Sequence, residues 1–313
     1  MDVYKEEVSI QGRPRMVDAV RVGNNVIVVT GTLMKMARLK EEWFEDAEDP
    51  ERTIAELRKA PLRVDIFTFF QRLPDKEPRY PFYRESETVA AIPITSYDHW
   101  WKKQVNPKTR NMVRKAEKSG LVIRETQFDD DFVKGVAGIF NETPLRQNKP
   151  FWHYGKNEET IKKQFSRYIF REDMIGAYYQ DEMIGFMMLA HAGQYALLGQ
   201  ILSKVAHRDK AVTNALLAKA VEICARKNIP YLSYYGFRRG GLGDFQRHNG
   251  FEMITLPRYY VPLTAWGRLV LQMNLHNGLK QAFPEHITLK LIDLRTRWYH
   301  YKYRNFNVAQ PQG

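Results

Sequence analysis

The chain has 313 residues, 44% of them hydrophobic and 13% aromatic, enough to bury one large core or two modest ones and too apolar for a disordered chain. Its one cysteine, Cys224, excludes an internal disulfide and any multi-cysteine metal site, and no window holds the ~20 apolar residues of a transmembrane helix. The net charge of +12 comes from two zones, residues 100–120 and 258–304, which carry +6 each.

In chain order, Val17–Val22 and Val26–Thr30 read as strands joined by a hairpin turn at Gly23-Asn24-Asn25. A helix is expected over Leu33–Phe44. A second is capped by Asp49, opened by Pro50 and ends near Lys59. Leu62–Phe70 and Thr88–Ile94 read as strands, so residues 1–95 form a mixed first lobe. Residues 96–127 form a basic helical connector, two helices broken before Pro107, the second capped by Asn106 and ended by Gly120. Thr109, Met112, Val113 and Ala116 share its apolar face, and Arg110, Arg114 and Lys118 form a stripe at i, i+4, i+8. Such a stripe is either a solvated face or a contact for an anionic partner, with even weight on each.

Helices follow over Phe128–Phe140 and Glu158–Phe170, around a loop that holds Trp152, His153 and Tyr154. Met174–Tyr179, Met183–Ala190 and Tyr195–Leu202 read as a three-strand meander. A helix over Ala211–Lys227, a strand over Tyr231–Phe237, a short helix at Asp244–His248 and a strand over Phe251–Pro262 complete a second lobe, residues 128–262. Cys224 falls within the apolar pattern of the long helix and reads as a buried structural thiol. Residues 263–313 form a helical extension. Ala265–Phe283 is apolar nearly all round, and Ile287, Leu291, Leu294, Trp298 and Tyr301 make a narrow apolar stripe flanked by basic residues. That stripe suits docking on protein, or an interfacial helix on anionic lipid.

The segment Arg208-Asp-Lys-Ala-Val-Thr-Asn-Ala-Leu-Leu217 follows a strand and opens a helix. It resembles the acyl-CoA signature of the GNAT N-acyltransferase superfamily, Arg/Gln-Gly-x-Gly-x-Gly/Ala-x-x-Leu-Leu. It keeps the arginine and both leucines, with Asp209, Ala211 and Thr213 at the glycine places. Phe245-Gln-Arg-His-Asn-Gly-Phe251 is similar to the Phe-Tyr-x-x-x-Gly-Phe ending of such domains. The basic helix of residues 106–120 resembles the segment before the catalytic lobe of FemAB-type transferases, the peptidoglycan-bridge aminoacyltransferases and their acyl-CoA-using relatives. The resemblance implies an α+β chain with two tandem GNAT-like lobes, the first partial, followed by C-terminal helices.

It also implies an N-acyltransferase that moves an acyl group from acyl-CoA to an amine, with aminoacyl-tRNA as the alternative donor and a non-catalytic scaffold for RNA, lipid or protein as a third reading. The acceptor is an amine-bearing small molecule, a peptide or a lipid-linked amine. Arg208, Lys210, Ala211, Thr213 and Asn214 are the implied donor contacts, because a helix N-terminus presents N–H groups to a pyrophosphate. Asp209 is the discordant residue, since a carboxylate facing phosphate repels it.

Gln246 takes the place of the usual tyrosine acid, or of the lysine common in FemAB-type members. Glutamine cannot donate a proton in catalysis, but its amide can bond an oxyanion. Tyr234 and Tyr235 are the alternative acids, one of which can face the cleft. His153, Asp244 and His191 are the candidate bases, and Trp152 lies beside His153 over the substrate. Arg110, Arg114 and Lys118 are the anion contacts. No metal is expected. The N-terminus lacks the basic head and apolar run of a secretory signal, so the expected location is the cytoplasm, with peripheral contact at the inner membrane face through the two basic zones.

Overall fold

The computed structural model describes residues 2–10, 13–146, 149–234, 236–238, 240–277, 297–298 and 301. In chain order its strands are β1 (Tyr4–Ile10), β2 (Arg13–Val22), β3 (Asn25–Thr30), β4 (Met36–Leu39), β5 (Ile66–Phe70), β6 (Arg84–Pro93) and β7 (Val122–Thr126). They continue as β8 (Leu145–Arg146), β9 (Lys149–Pro150), β10 (Glu172–Tyr179), β11 (Glu182–Ala192), β12 (Tyr195–Ser203), β13 (Tyr231–Ser233) and β14 (Glu252–Pro262). The α-helices are α1 (Pro50–Lys59), α2 (Tyr97–His99), α3 (Pro107–Lys118), α4 (Asp130–Phe140), α5 (Glu158–Phe165), α6 (Val212–Arg226), α7 (Gly240–His248) and α8 (Ala265–Gln272).

The residues group into two compact units, the first running to Val89 and resuming at Ile254, the second spanning Ala90–Met253. In the first unit the strand order is β1-β2-β3-β4-β5-β14, then β6. β1 to β4 are antiparallel neighbours, β4 and β5 are parallel, and β14 pairs antiparallel with β5 from Arg258↔Phe70 to Pro262↔Ile66. That ladder is why residues after Ile254 group with the first unit and not with the lobe of residues 128–262. Its core stacks Phe67, Phe69 and Tyr259 beneath Ile54 and Leu57 of α1. Helix α1 starts where Asp49 and Pro50 direct it, with the Asp49 carboxylate accepting from Arg52 N–H at 2.9 Å.

The helix expected over Leu33–Phe44 does not form. Met36–Leu39 is strand β4, with Ala37 and Leu39 buried and their neighbours half-buried, and it pairs with β3 from Ile27↔Leu39 to Thr30↔Met36. Alternate burial on a sheet face outweighs the helix-forming side chains there.

In the second unit the sheet order is the end of β6, then β13-β12-β11-β10-β7. β10, β11 and β12 form the expected antiparallel meander. β7 adds an edge strand that its mostly exposed pattern concealed from sequence reading. One face packs against α3 and α6, where Val113, Leu216, Ala220 and Cys224 are buried, and the other against α4 and α5 through Phe132, Phe140 and Ile161. Burial pushes the Cys224 thiol up to about 12, so it is an inert packing group.

The basic connector is a helical turn, α2, a π-helix over Trp100–Gln104, and then α3, whose first turn is capped by the Asn106 side chain accepting from Lys108 N–H. Helix α5 stops at Phe165 and gives way to a 3₁₀ segment, Ser166–Arg171. The helix expected over Ala265–Phe283 ends early: α8 stops at Gln272, capped at Met273, with Asn274 in the left-handed region and Trp266 and Leu269 exposed. Most of the tail stripe, including Ile287, Leu291 and Leu294, lies outside the described residues.

Candidate functional site

β12 and β13 are parallel neighbours for only three pairs, ending at Leu197↔Ser233. Beyond this point they part. Opposite β11, Leu198 pairs with Leu189 but Gln200 pairs with Met188, so Gly199 is the extra residue of a β-bulge. On the other side Tyr234 N–H still bonds Ala90 O at 2.8 Å, which holds that residue toward β6 and away from β12. The parted strands leave a cavity of about 280 Å³. Gly199–Leu202 form one wall and Tyr234 and Gly236 the other. Leu242 and Gln246 of α7, Arg238, and the loop residues Phe151, Trp152 and His153 close it.

Helix α6 connects to this cleft through α7, which supplies Leu242 and Gln246 to the lining. Its first turn is tied to the end of α7 by Asn249 Nδ2, which donates to Asn214 Oδ1 at 3.4 Å and to Phe245 O at 2.7 Å. Ala211, the residue before the helix, has φ +53° and ψ 34°, in the left-handed region, and no side chain caps the helix start. Glycine is the usual tenant of that conformation. Ala211, which stands at a glycine place of the aligned signature, thus adopts a conformation that glycine favours. The discordant Asp209 side chain is 67% exposed and sits 3.7 Å from Lys210. The Lys210 ammonium lies over the Tyr179 ring at 4.2 Å, Arg208 is exposed, and Thr213 and Asn214 are half-buried on the first turn.

Gln246 is buried, and its amide is engaged with the backbone. Oε1 accepts from Arg238 N–H at 2.9 Å, and Nε2 donates to Tyr234 O and Gly236 O at 3.4 and 3.3 Å. It holds the shape of the cleft wall after β13. Tyr234 lines the cavity, and Tyr235 lies outside the described residues. Asp244 is exposed and ion-paired with Arg247.

His153 is 1% exposed, sandwiched between Phe140 and Trp152 at ring distances of 4.0 and 3.6 Å. Burial first, then the cations of Lys156 and Arg146, hold its pKa down to about 3, so the ring is neutral at physiological pH and a weak base. His191 stands with Asp173 and Lys227, at the end of β11 that leads away from the bulge.

Of the basic stripe, Arg110 turns inward. Its guanidinium donates to the carbonyls of Trp101, Lys102 and Val105, closing the C-terminal end of the π-helix. Arg114 stands over the Trp101 ring at 5.8 Å, and Lys115 and Lys118 are exposed.

Sequence reasoning missed Gly199, Gln200 and the pair Glu142–Arg146. Arg146, a mostly buried guanidinium over the Phe151 ring, donates to Ser203 O and Ile139 O, while the Glu142 carboxylate accepts from Val205 and Ala206 N–H. A mid-strand glycine was the one available hint of the bulge. Among the described residues no cluster of His, Cys, Asp or Glu could hold a metal ion.

No protein-family model matches the chain, and no curated protein matches it in sequence. Solved structures do match in shape. The C-terminal domain of a candidate lysylphosphatidylglycerol synthetase from Agrobacterium fabrum aligns with TM-score 0.54 at 10% identity, over 86% of this chain and 87% of that one. FemX aligns with TM-score 0.50 at 9% identity over 87% and 90% of the two chains. The L-PGS structure from Bacillus licheniformis aligns with TM-score 0.51 at 12% identity over 81% and 85%. The chain has a GNAT-like fold of the FemX type. At these identities the likeness concerns the fold. Within this fold residues 208–217 run from the end of a 3₁₀ segment through Ala211 into the first turns of α6, and residues 245–251 are the end of α7 and the turn after it. No described helix is long and apolar enough to cross a membrane.

Proposed function

We propose that the chain is an amide-forming acyltransferase that holds its acyl donor in the cleft between β12 and β13. One observation carries this reading: the strands part at the Gly199 bulge, and the chain that leaves β12 passes through a 3₁₀ segment, Val205–Lys210, into α6, whose start has no side-chain cap and is entered through Ala211 in the left-handed conformation. Such an end offers N–H groups and a partial positive charge to a phosphorylated donor. The outward carboxylate of Asp209 leaves that end open to an anion, with Thr213 and Asn214 on the first turn and Arg208 at its rim.

In the reaction an amine nitrogen bonds the acyl carbon, the bond from that carbon to its sulfur or oxygen leaving group breaks, and the amine proton leaves with the departing group. The cleft contributes position and exclusion of water. With the Gln246 amide engaged with the backbone, the reading assigns protonation of the leaving group to Tyr234, the tyrosine among the residues that line the cavity. Calorimetric titration with acetyl-CoA tests the CoA version: saturable heat that Thr213→Glu abolishes supports it, and no heat at millimolar donor removes it.

A second donor is favoured by the exposed basic face of α3, which presents Lys108, Arg114, Lys115 and Lys118. If the donor is aminoacyl-tRNA, affinity for tRNA falls steeply with salt and drops further on Arg114→Glu with Lys118→Glu. Affinity untouched by that pair removes the RNA version. The named neighbour lysylphosphatidylglycerol synthetase suggests a lipid-linked acceptor, reached from the inner face of a membrane. A scaffold that binds RNA, lipid or protein without turnover is the reading left if neither donor binds.

A further inference from the structure

The meander β10–β12 carries three glycines inside its strands, Gly176, Gly185 and Gly199. Packing accounts for two of them. A Cβ on Gly176 would overlap the Tyr178 ring at 2.5 Å, and one on Gly185 would lie 2.5 Å from Val212 Cγ1 and 3.2 Å from Leu202 O. Gly199 differs: a Cβ there meets one atom within 4 Å, Met188 O, at an ordinary 3.5 Å. Its φ lies outside the left-handed region, so neither the strand nor the bulge calls for glycine. Glycine within a strand weakens it, and where no neighbouring backbone fills the space it marks a close approach by a ligand.

Gly199 is exposed and lines the cavity, and with no side chain it does so through its own backbone. Around it Phe151, Trp152, Ile201, Leu202 and Leu242 supply apolar lining. Arg238 is the cation among the described lining residues, and none of them is a carboxylate. Those walls favour an uncharged alkyl chain over an ammonium group. At about 280 Å³ the cavity falls below the roughly 300–1,000 Å³ of sites that enclose whole small molecules, so it takes one part of a ligand.

We propose that Gly199 is the specificity-determining residue of this cavity: its missing side chain leaves room against β12 for a short alkyl chain, and the size of residue 199 limits the length of that chain. On the acyl-transfer reading, on which this assignment of the ligand rests, the chain is the acyl group, a few carbons long.

The test uses the full chain, three small probes and the amide ¹H–¹⁵N shifts of Gly199, Gln200, Ile201 and Leu202. Butyramide is expected to shift these amides and to bind more tightly than acetamide, and butylammonium to leave them in place. In Gly199→Ala and Gly199→Val the preference for butyramide over acetamide is expected to fall, by roughly ten-fold in the valine variant. A distorted fold would weaken both amides alike, so the ratio isolates the room at position 199. The melting temperature of Gly199→Ala is expected to hold or rise, because alanine replaces glycine in an unstrained strand. A clear fall shows that the glycine serves the fold and overturns the proposal. So does an unchanged ratio in both variants, a parent that does not respond to butyramide, or a response to butylammonium in its place. None of these readings needs a phosphorylated donor or turnover. If the ratio falls as expected while acetyl-CoA and butyryl-CoA both fail to bind in calorimetry, the alkyl site at Gly199 stands and the CoA version of the acyl-transfer reading falls.

Discussion

Glu142 and Arg146, one helical turn apart in sequence and 3.2 Å apart in space, fasten both sides of the chain as it leaves β12. The carboxylate accepts from Val205 and Ala206 N–H, and the guanidinium donates to Ser203 O. The pair therefore sets the path of the chain between the cavity wall and the start of α6. Glu142→Ala leaves a largely buried guanidinium without its carboxylate and the half-buried Val205 N–H without its acceptor, while the exposed Ala206 N–H can turn to water. The expected loss is about 3 kcal/mol in urea unfolding. The double variant with Arg146→Met is expected to lose less than the sum of the singles, because the stranded charge is gone.

Ala211 gives the opposite sign. An alanine held at φ +53° is strained, and Ala211→Gly removes the clash of its Cβ with the backbone at the cost of a freer unfolded chain. The net expectation is a gain of about 0.5–1 kcal/mol, which for a chain of this length raises Tm by roughly 1–2 °C. On the acyl-transfer reading the variant binds acetyl-CoA at least as tightly as the parent, which calorimetry checks.

Two buried groups give stability a pH dependence of opposite sign. Burial raises Glu172 to about 7 from 4.5, so the folded chain binds its proton more tightly. Its contribution is present below the unfolded value and is lost as pH rises from 4.5 through 7. His153, depressed to about 3 from 6.5, binds protons more weakly when folded, and its contribution is present above 6.5 and lost as pH falls toward 3. Between 4.5 and 6.5 the two slopes oppose each other. Unfolding free energies measured across pH 4–8 are expected to rise more steeply with pH in Glu172→Gln, and to fall with pH in His153→Gln, each by on the order of 1 kcal/mol per pH unit.

The basic stripe of α3 divides by function. Arg110→Ala removes three bonds to π-helix carbonyls and is expected to cost about 2 kcal/mol of stability. Lys115→Ala and Lys118→Ala, on exposed side chains, are expected to leave stability within about 0.5 kcal/mol. Thermal unfolding separates the two groups.

Local signals carried much of the fold. Asp49-Pro50 and Asn106-Pro107 mark their helices because capping and the fixed φ of proline act within a few residues. The meander over residues 172–203 and the buried face of α6 are legible from periodicity. Met36–Leu39 and Val122–Thr126 were not, since each becomes a strand only when a neighbour supplies its hydrogen bonds. The inward turn of Arg110 was equally hidden, because its acceptors belong to a π-helix that no local pattern announced.

What the sequence by itself determined is the order of elements, and with it the resemblance to a GNAT-like fold read from the segments of residues 208–217 and 245–251. Tertiary structure alone decided the surroundings of the candidate residues. Ala211 keeps a glycine's conformation, Asp209 faces solvent, the Gln246 amide is used by the backbone, and Gln200 meets His153 across the wall of the cleft. The physical reason is range. Capping and periodicity act over a few residues, whereas His153 and Gln200, 47 positions apart, meet only after the chain has packed.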